Sequence, residues 1–132
     1  MSESGKKTGC VIVAHGNVAE CMMDAIEGIL GKQSGWIAVS NRGMGLNELN
    51  DAVTRAVEQL SRDHDVVIMT DMPGGSCHHA CQELKDDPSD VSIVTGLNLM
   101  MLLEFFVKRE HKDLKELVNL ILDRGRGSVR LI

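Results

Sequence analysis

A histidine and a glycine, in Ala14-His15-Gly16-Asn17, close the apolar run Cys10-Val-Ile-Val-Ala14. A second polar exit, Thr70-Asp71-Met72-Pro73-Gly74-Gly75-Ser76, closes the run Val66-Val-Ile-Met-Thr70. Gly16 permits a sharp turn, so an imidazole at position 15 can project from the end of a strand. A carboxylate that accepts a hydrogen bond from one ring nitrogen fixes the tautomer and leaves the other nitrogen free as a nucleophile. His15 and Asp71 suit that role if the two run ends are neighbours. Taken singly, a loop histidine is more often just a satisfied polar group. Asp71 alone reads equally well as a loop-end or capping carboxylate.

Gly74-Gly75-Ser76 precedes a helical stretch from Cys77 to Leu84. Two glycines let successive backbone N–H groups face one ligand, Ser76 adds a hydroxyl, and a helix start favours an anion. A phosphoryl group fits such a cradle, although a lone GGS is more often a plain turn with a cap. Cys77, His78, His79 and Cys81, with His15 and Asp71 nearby, also form a transition-metal ligand set by type. Adjacent histidines on a helix diverge, however, and the CHHxC spacing matches no common structural zinc pattern. Core packing is the default for Cys81, and a polar helix start for the two histidines. Arg42, in Asn41-Arg-Gly-Met-Gly45, is placed to reach the same edge and contact phosphate or a partner, against the commoner case of a solvated loop arginine. P-loop, GxGxxG and HExxH motifs are absent.

These residues must be held by strands and helices. Cys10–Ala14, Val66–Thr70 and Val91–Thr95 are continuous apolar runs, the pattern of strands buried on both faces. Trp36–Val39 is a weaker strand. Val18, Met22, Ile26 and Ile29 mark one amphipathic helix, and Leu46, Leu49, Val53, Val57 and Leu60 a second. Asp87-Pro88-Ser89 ends a helix before the fourth strand, and Gly96-Leu97-Asn98 ends that strand before the Met-rich helix Leu99 to Phe106. Asp113 caps a last helix through Leu114, Leu117, Val118, Ile121 and Leu122 to Gly125 or Gly127. Strand and helix alternate, which predicts an α/β fold: an open, mostly parallel sheet with helices on both faces. If the order is 2-1-3-4, the strands ending at His15 and Asp71 are neighbours, and ligands bind beyond the carboxyl ends of such strands.

Composition narrows the functions. The chain has 132 residues, 43% hydrophobic and 25% charged, which suits one globular domain over 1–132 with a flexible segment at 1–8. A net charge of -5, no Tyr, one Trp and two Phe argue against nucleic acid as a partner, since backbone binding needs Lys and Arg and single strands need stacking platforms. Neither a signal peptide nor a run of about 18 apolar residues is visible. Four cysteines without paired CxxC spacing suit reduced thiols and a cytoplasmic setting.

Taken in order, Val11-Ile-Val-Ala-His15-Gly16, Gly35-Trp36-Ile37, Thr70-Asp71 with Gly74-Gly75-Ser76, and Gly96-Leu97-Asn98 with Met101-Leu102 resemble the mannose-family EIIA domain of the bacterial phosphotransferase system (PTS). The resemblance runs from about Gly9 to the end. It implies that His15 is phosphorylated on Nε2 by the phosphocarrier HPr and delivers the group to an EIIB domain, with membrane EIIC and EIID engaged indirectly. Asp71 then corresponds to the carboxylate beside the active histidine, and Gly74, Gly75 and Ser76 to the phosphate loop. No cofactor or metal belongs to that chemistry. A homodimer is also implied, in which Val129–Ile132 is an antiparallel fifth strand exchanged with the partner. The chain departs from the pattern after Ser76, where proline commonly follows and Cys77, His78 and His79 stand instead.

Two other readings share the fold. A chelatase-like or metal-handling protein also places His-Gly after the first strand, and a phosphorylation-sensing module would regulate a partner without transferring to sugar. A histidine phosphatase fits less well, because Ala14-His15-Gly16 replaces the usual Arg-His-Gly. Sugar choice belongs to the membrane subunits.

Overall fold

The computed structural model describes residues 7–86 and 91–132. Its four strands are β1 (Lys7–Ala14), β2 (Trp36–Ser40), β3 (His64–Thr70) and β4 (Val91–Thr95). They form one parallel sheet in the order β2-β1-β3-β4, as the alternating pattern predicted. The helices are α1 (Val18–Leu30), α2 (Leu46–Ser61), α3 (Ser76–Cys81), α4 (Leu99–Lys108) and α5 (Leu114–Gly127), with a 3-10 turn at Gln82–Asp86.

Successive residues of a strand point to opposite faces, so one apolar run can feed two cores. From β1, Cys10, Ile12 and Ala14 join Met23 and Ile26 of α1, Leu102 and Phe105 of α4, and Leu117 and Ile121 of α5. Val11 and Val13 face the other way, against Leu49, Val53 and Val57 of α2 and Cys77, Ala80 and Cys81 of α3. Burying a Val, Leu or Ile side chain contributes about 1.5–3 kcal/mol. Both central strands, β1 and β3, are therefore anchored from two sides.

Several boundaries and faces differ from expectation. β1 begins at Lys7, so two residues of the expected flexible segment pair with β3 in the register Lys7↔His64 and Thr8↔Asp65; residues 1–6 lie outside the described part. Backbone pairing carries the strand past the apolar run. In α1 the buried stripe is Ala19, Met23 and Ile26, while Val18 and Ile29 are exposed. Ile26 is buried as expected, and Met22 is partly buried against the same core. Leu46, in the first turn of α2, is also exposed. Asp113 caps α5 by accepting from the Glu116 N–H at 2.8 Å, and Asn98 caps α4 by accepting from Met101 at 3.2 Å. The expected helix end at Asp87-Pro88-Ser89 lies outside the described residues.

The C-terminal fifth strand is not formed within the single chain. α5 runs to Gly127, and residues 128–132 have no ladder partner. Val129, Leu131 and Ile132 are exposed.

Candidate functional site

In the observed order, the crossover through α1 runs from β1 outward to β2, and the next, through α2, runs back from β2 past β1 to β3. This reversal opens a crevice at the carboxyl ends of β1 and β3, where His15 and Asp71 leave the sheet. The His15 N–H donates to Asp71 Oδ2 at 2.9 Å, and His15 Nδ1 meets the same oxygen at 2.8 Å. The Met72 N–H donates to Asp71 Oδ1 at 3.0 Å. Burial pushes the Asp71 carboxyl upward, but the His15 backbone and ring and the Met72 N–H outweigh it and hold the carboxyl below its ordinary value. An ionised Asp71 only accepts hydrogen bonds, so Nδ1 carries the ring proton and Nε2 keeps its lone pair.

Nε2 points toward the Gly74-Gly75-Ser76 loop, with Ser76 Oγ at 3.3 Å. A side chain at position 75 would crowd this ring: a Cβ there would sit 3.2 Å from His15 Cε1. Gly16 has φ +58°, a left-handed conformation that glycine adopts at little cost. Its N–H donates to Asn41 Oδ1 at 3.1 Å and its carbonyl accepts from Ser40 Oγ at 2.7 Å. The Arg42 N–H donates to Ser40 Oγ in turn, and a Cβ on Gly16 would lie 3.2 Å from Arg42 Nη2. Arg42 is thus brought against the residue that follows His15, as its position suggested. The clamping roles of Ser40 and Asn41 were not legible beforehand, because a loop after β2 folding back on Gly16 leaves no sequence pattern.

The stretch that departs from the familiar pattern divides. Cys77 lies against the site, its Sγ 3.8 Å from His15 Nδ1. Burial, then the Asp71 charge, push its thiol up to about 11. Burial likewise raises Cys81 to about 12, within the α2 core. His78 Nδ1 accepts from the Gly74 N–H at 3.0 Å, tying the loop to α3. Rather than diverging, the two histidine rings both reach Gln82, whose amide lies 3.4 Å from His78 Nε2 and 3.3 Å from His79 Nδ1. The Gln82 oxygen faces His79 Nδ1 and the Gln82 nitrogen faces His78 Nε2. Of the metal ligands considered by type, His15, Asp71 and Cys77 place one donor atom each within 4.8 Å of one another. α3 has six residues, so the loop N–H groups and the Ser76 hydroxyl, rather than a long helix dipole, are what the site offers an anion.

No helix among the described residues is long and apolar enough to cross a membrane. The fructose-specific EIIA component of the PTS of Bacillus subtilis (strain 168) is 28% identical over 110 residues, 83% of this chain and 75% of that protein. The sorbose-specific EIIA component of Lacticaseibacillus casei is 27% identical over 110 residues, 83% of this chain and 79% of that one. Among solved structures, phosphotransferase system component EIIA from Streptococcus agalactiae superposes with a TM-score of 0.85 at 25% identity, covering 94% of this chain and 96% of that one. The family model EIIA-man, the PTS system fructose IIA component, matches residues 9–122, and with the fold and these relatives it establishes that the chain belongs to the EIIA-man family of PTS components.

Proposed function

We propose that this chain is a single-domain, cytoplasmic phosphoryl carrier that accepts a phosphoryl group from phospho-HPr on His15 Nε2 and passes it to an EIIB domain. The observation that carries the reading is the division of labour on one ring: Nδ1 is held by Asp71 at 2.8 Å while Nε2 faces Ser76 Oγ at 3.3 Å. In the transfer, the N–P bond to the donor histidine breaks as the bond to His15 Nε2 forms. The ring becomes electron-poor when its lone pair is used, and the Asp71 carboxylate at Nδ1–H stabilises that charge. The Gly75 and Ser76 N–H groups and the Ser76 hydroxyl are the donors available to the phosphoryl oxygens. Such a reaction needs positioning and charge stabilisation more than covalent help from the protein.

The same reading makes the active form a homodimer. β4 is an edge strand, and a groove of about 470 Å³ runs along it, lined by Thr70, Val91, Ile93 and Val118 among others. An exposed edge beside an apolar groove is a template for strand addition. Val129, Leu131 and Ile132 of a second copy supply apolar side chains and an unpaired backbone for an antiparallel fifth strand.

Incubation with phosphoenolpyruvate, Enzyme I and HPr tests the carrier. Wild-type protein should take up acid-labile, base-stable phosphate, and His15→Ala should take up none. Label on a folded His15→Ala protein, or none on folded wild type, overturns the assignment.

A further inference from the structure

We propose that His15, Asp71 and Cys77 form a binding site for a divalent transition ion of the zinc class, and that its occupation blocks phosphorylation of His15. The metal half stands on geometry alone; the block rests on the carrier reading above. His15 Nδ1 lies 2.8 Å from Asp71 Oδ2 and 3.8 Å from Cys77 Sγ, and the three donor atoms fall within 4.8 Å of one another. Zinc bonds of about 2.0–2.3 Å in a tetrahedron set neighbouring ligand atoms about 3.3–3.6 Å apart. An ion would bind by opening the 2.8 Å His–Asp contact and drawing the thiol inward toward that spacing.

The donor set selects the ion. One imidazole, one carboxylate and one thiolate suit zinc and its neighbours, whereas magnesium and calcium take oxygen ligands. Three protein ligands leave a fourth position for water, and the partly exposed imidazole leaves a route to it. Asp71 is already oriented by the backbone N–H groups of His15 and Met72, as outer-shell partners orient metal ligands. Cys77 is fixed in the first turn of α3, packed against α2.

Proton balance links the ion to phosphorylation. Coordination by Cys77 releases its S–H proton to solvent. Coordination at Nδ1 displaces the proton that Asp71 held there, and the neutral ring then carries it on Nε2. That occupies the lone pair phosphorylation requires. Conversely, a phosphoryl group on Nε2 keeps the remaining proton on Nδ1, against Asp71, where the ion would sit. Reciprocity of linked equilibria makes each species weaken the other.

Co²⁺, a spectroscopic substitute for Zn²⁺, tests the site in the full chain. Wild type should give a thiolate-to-cobalt charge-transfer band that saturates at one ion per chain and is displaced by Zn²⁺. The band should vanish in Cys77→Ser, persist in Cys21→Ser, and require about tenfold or more Co²⁺ in His15→Gln. No band in folded wild type, or a band that survives Cys77→Ser or is indifferent to His15→Gln, overturns the site. Labelling through HPr is then run with and without Zn²⁺, each protein compared with its own metal-free rate. Zn²⁺ should slow wild type about tenfold or more relative to Cys77→Ser, and protein labelled beforehand should give no cobalt band. Equal sensitivity of the two proteins overturns the block. Wild type that takes no label in metal-free buffer removes the carrier reading instead, and the cobalt band then decides the metal site by itself.

Discussion

The sheet carries a polar cluster at each end of its strands. At the carboxyl ends His15 meets Asp71 through Nδ1 and Ser76 through Nε2, and its ring stays partly exposed. At the amino ends Arg109 is buried instead. Its guanidinium lies 4.8 Å from the centroid of Phe106, and its Nη1 and Nη2 donate at 3.4 Å to the Thr8 carbonyl and the Gln33 side chain. The Arg109 Nε and Thr8 Oγ1 atoms have no hydrogen-bond partner among the described residues. Both clusters hold charge, yet one keeps a reactive atom accessible and the other packs its charge away. Solvent access to the ring, rather than the mere presence of charged groups, separates the candidate site from the structural one.

Variants can pull that distinction apart. His15→Ala, with the largest effect, should remove labelling completely and leave the melting temperature close to wild type. Arg109→Ala should do the reverse: lose about 3 kcal/mol of stability in denaturant melts, through a cavity and a lost cation–π contact, while the folded fraction labels normally. Arg109→Met should recover most of that loss, because an apolar side chain of similar length fills the space without a buried charge. Reduced labelling per folded molecule in either Arg109 variant would break the comparison.

Asp71→Asn should slow labelling by about a hundredfold, since the tautomer and ring charge lose their carboxylate, measured as the initial rate under limiting HPr. The same variant has a pH signature. The Asp71 carboxyl is held below its ordinary value of 3.8 in the native state. The stability it contributes is fully present above that ordinary value and is lost as pH falls through the lower native one. Melts between about pH 5 and pH 2 should show a shallower acid decline for Asp71→Asn than for wild type. His78→Ala should have the smallest effect, slowing labelling about threefold to tenfold as one hydrogen bond to the Gly74-Gly75-Ser76 loop is lost. Faster hydrogen exchange at the Gly74 amide would tie that change to the loop.

Much of this architecture was legible in the residues. Apolar runs at β1 and β3 mark strands because a strand buried on both faces has no polar alternation to hide it, whereas β4, read the same way, is an edge strand of which only Val94 is buried. The α2 stripe from Leu49 to Leu60 is plain because one face meets the sheet and the other meets water. By contrast, the stripe expected on α1 holds at Ile26 and, partly buried, at Met22, while its ends Val18 and Ile29 are exposed and Ala19 and Met23 are buried instead, since both sets match the helical period. Lys7 and Thr8 escaped notice as strand because backbone pairing with His64 and Asp65, not side-chain character, holds them. The Arg109 site was invisible, as Thr8, Gln33 and Arg109 are far apart in the chain.

By itself the sequence determined the strand-helix alternation, the glycine turns beside His15 and Ser76, and the candidate site groups, because these follow from local conformation and side-chain chemistry. Only the tertiary structure decided that Asp71 takes Nδ1 and leaves Nε2, that Cys77 rather than Cys81 reaches the histidine, and that His78 props the loop. The first two depend on distances of about 3–4 Å between residues some sixty positions apart. Such distances are set by strand order and by helix packing on the sheet, which no local pattern encodes.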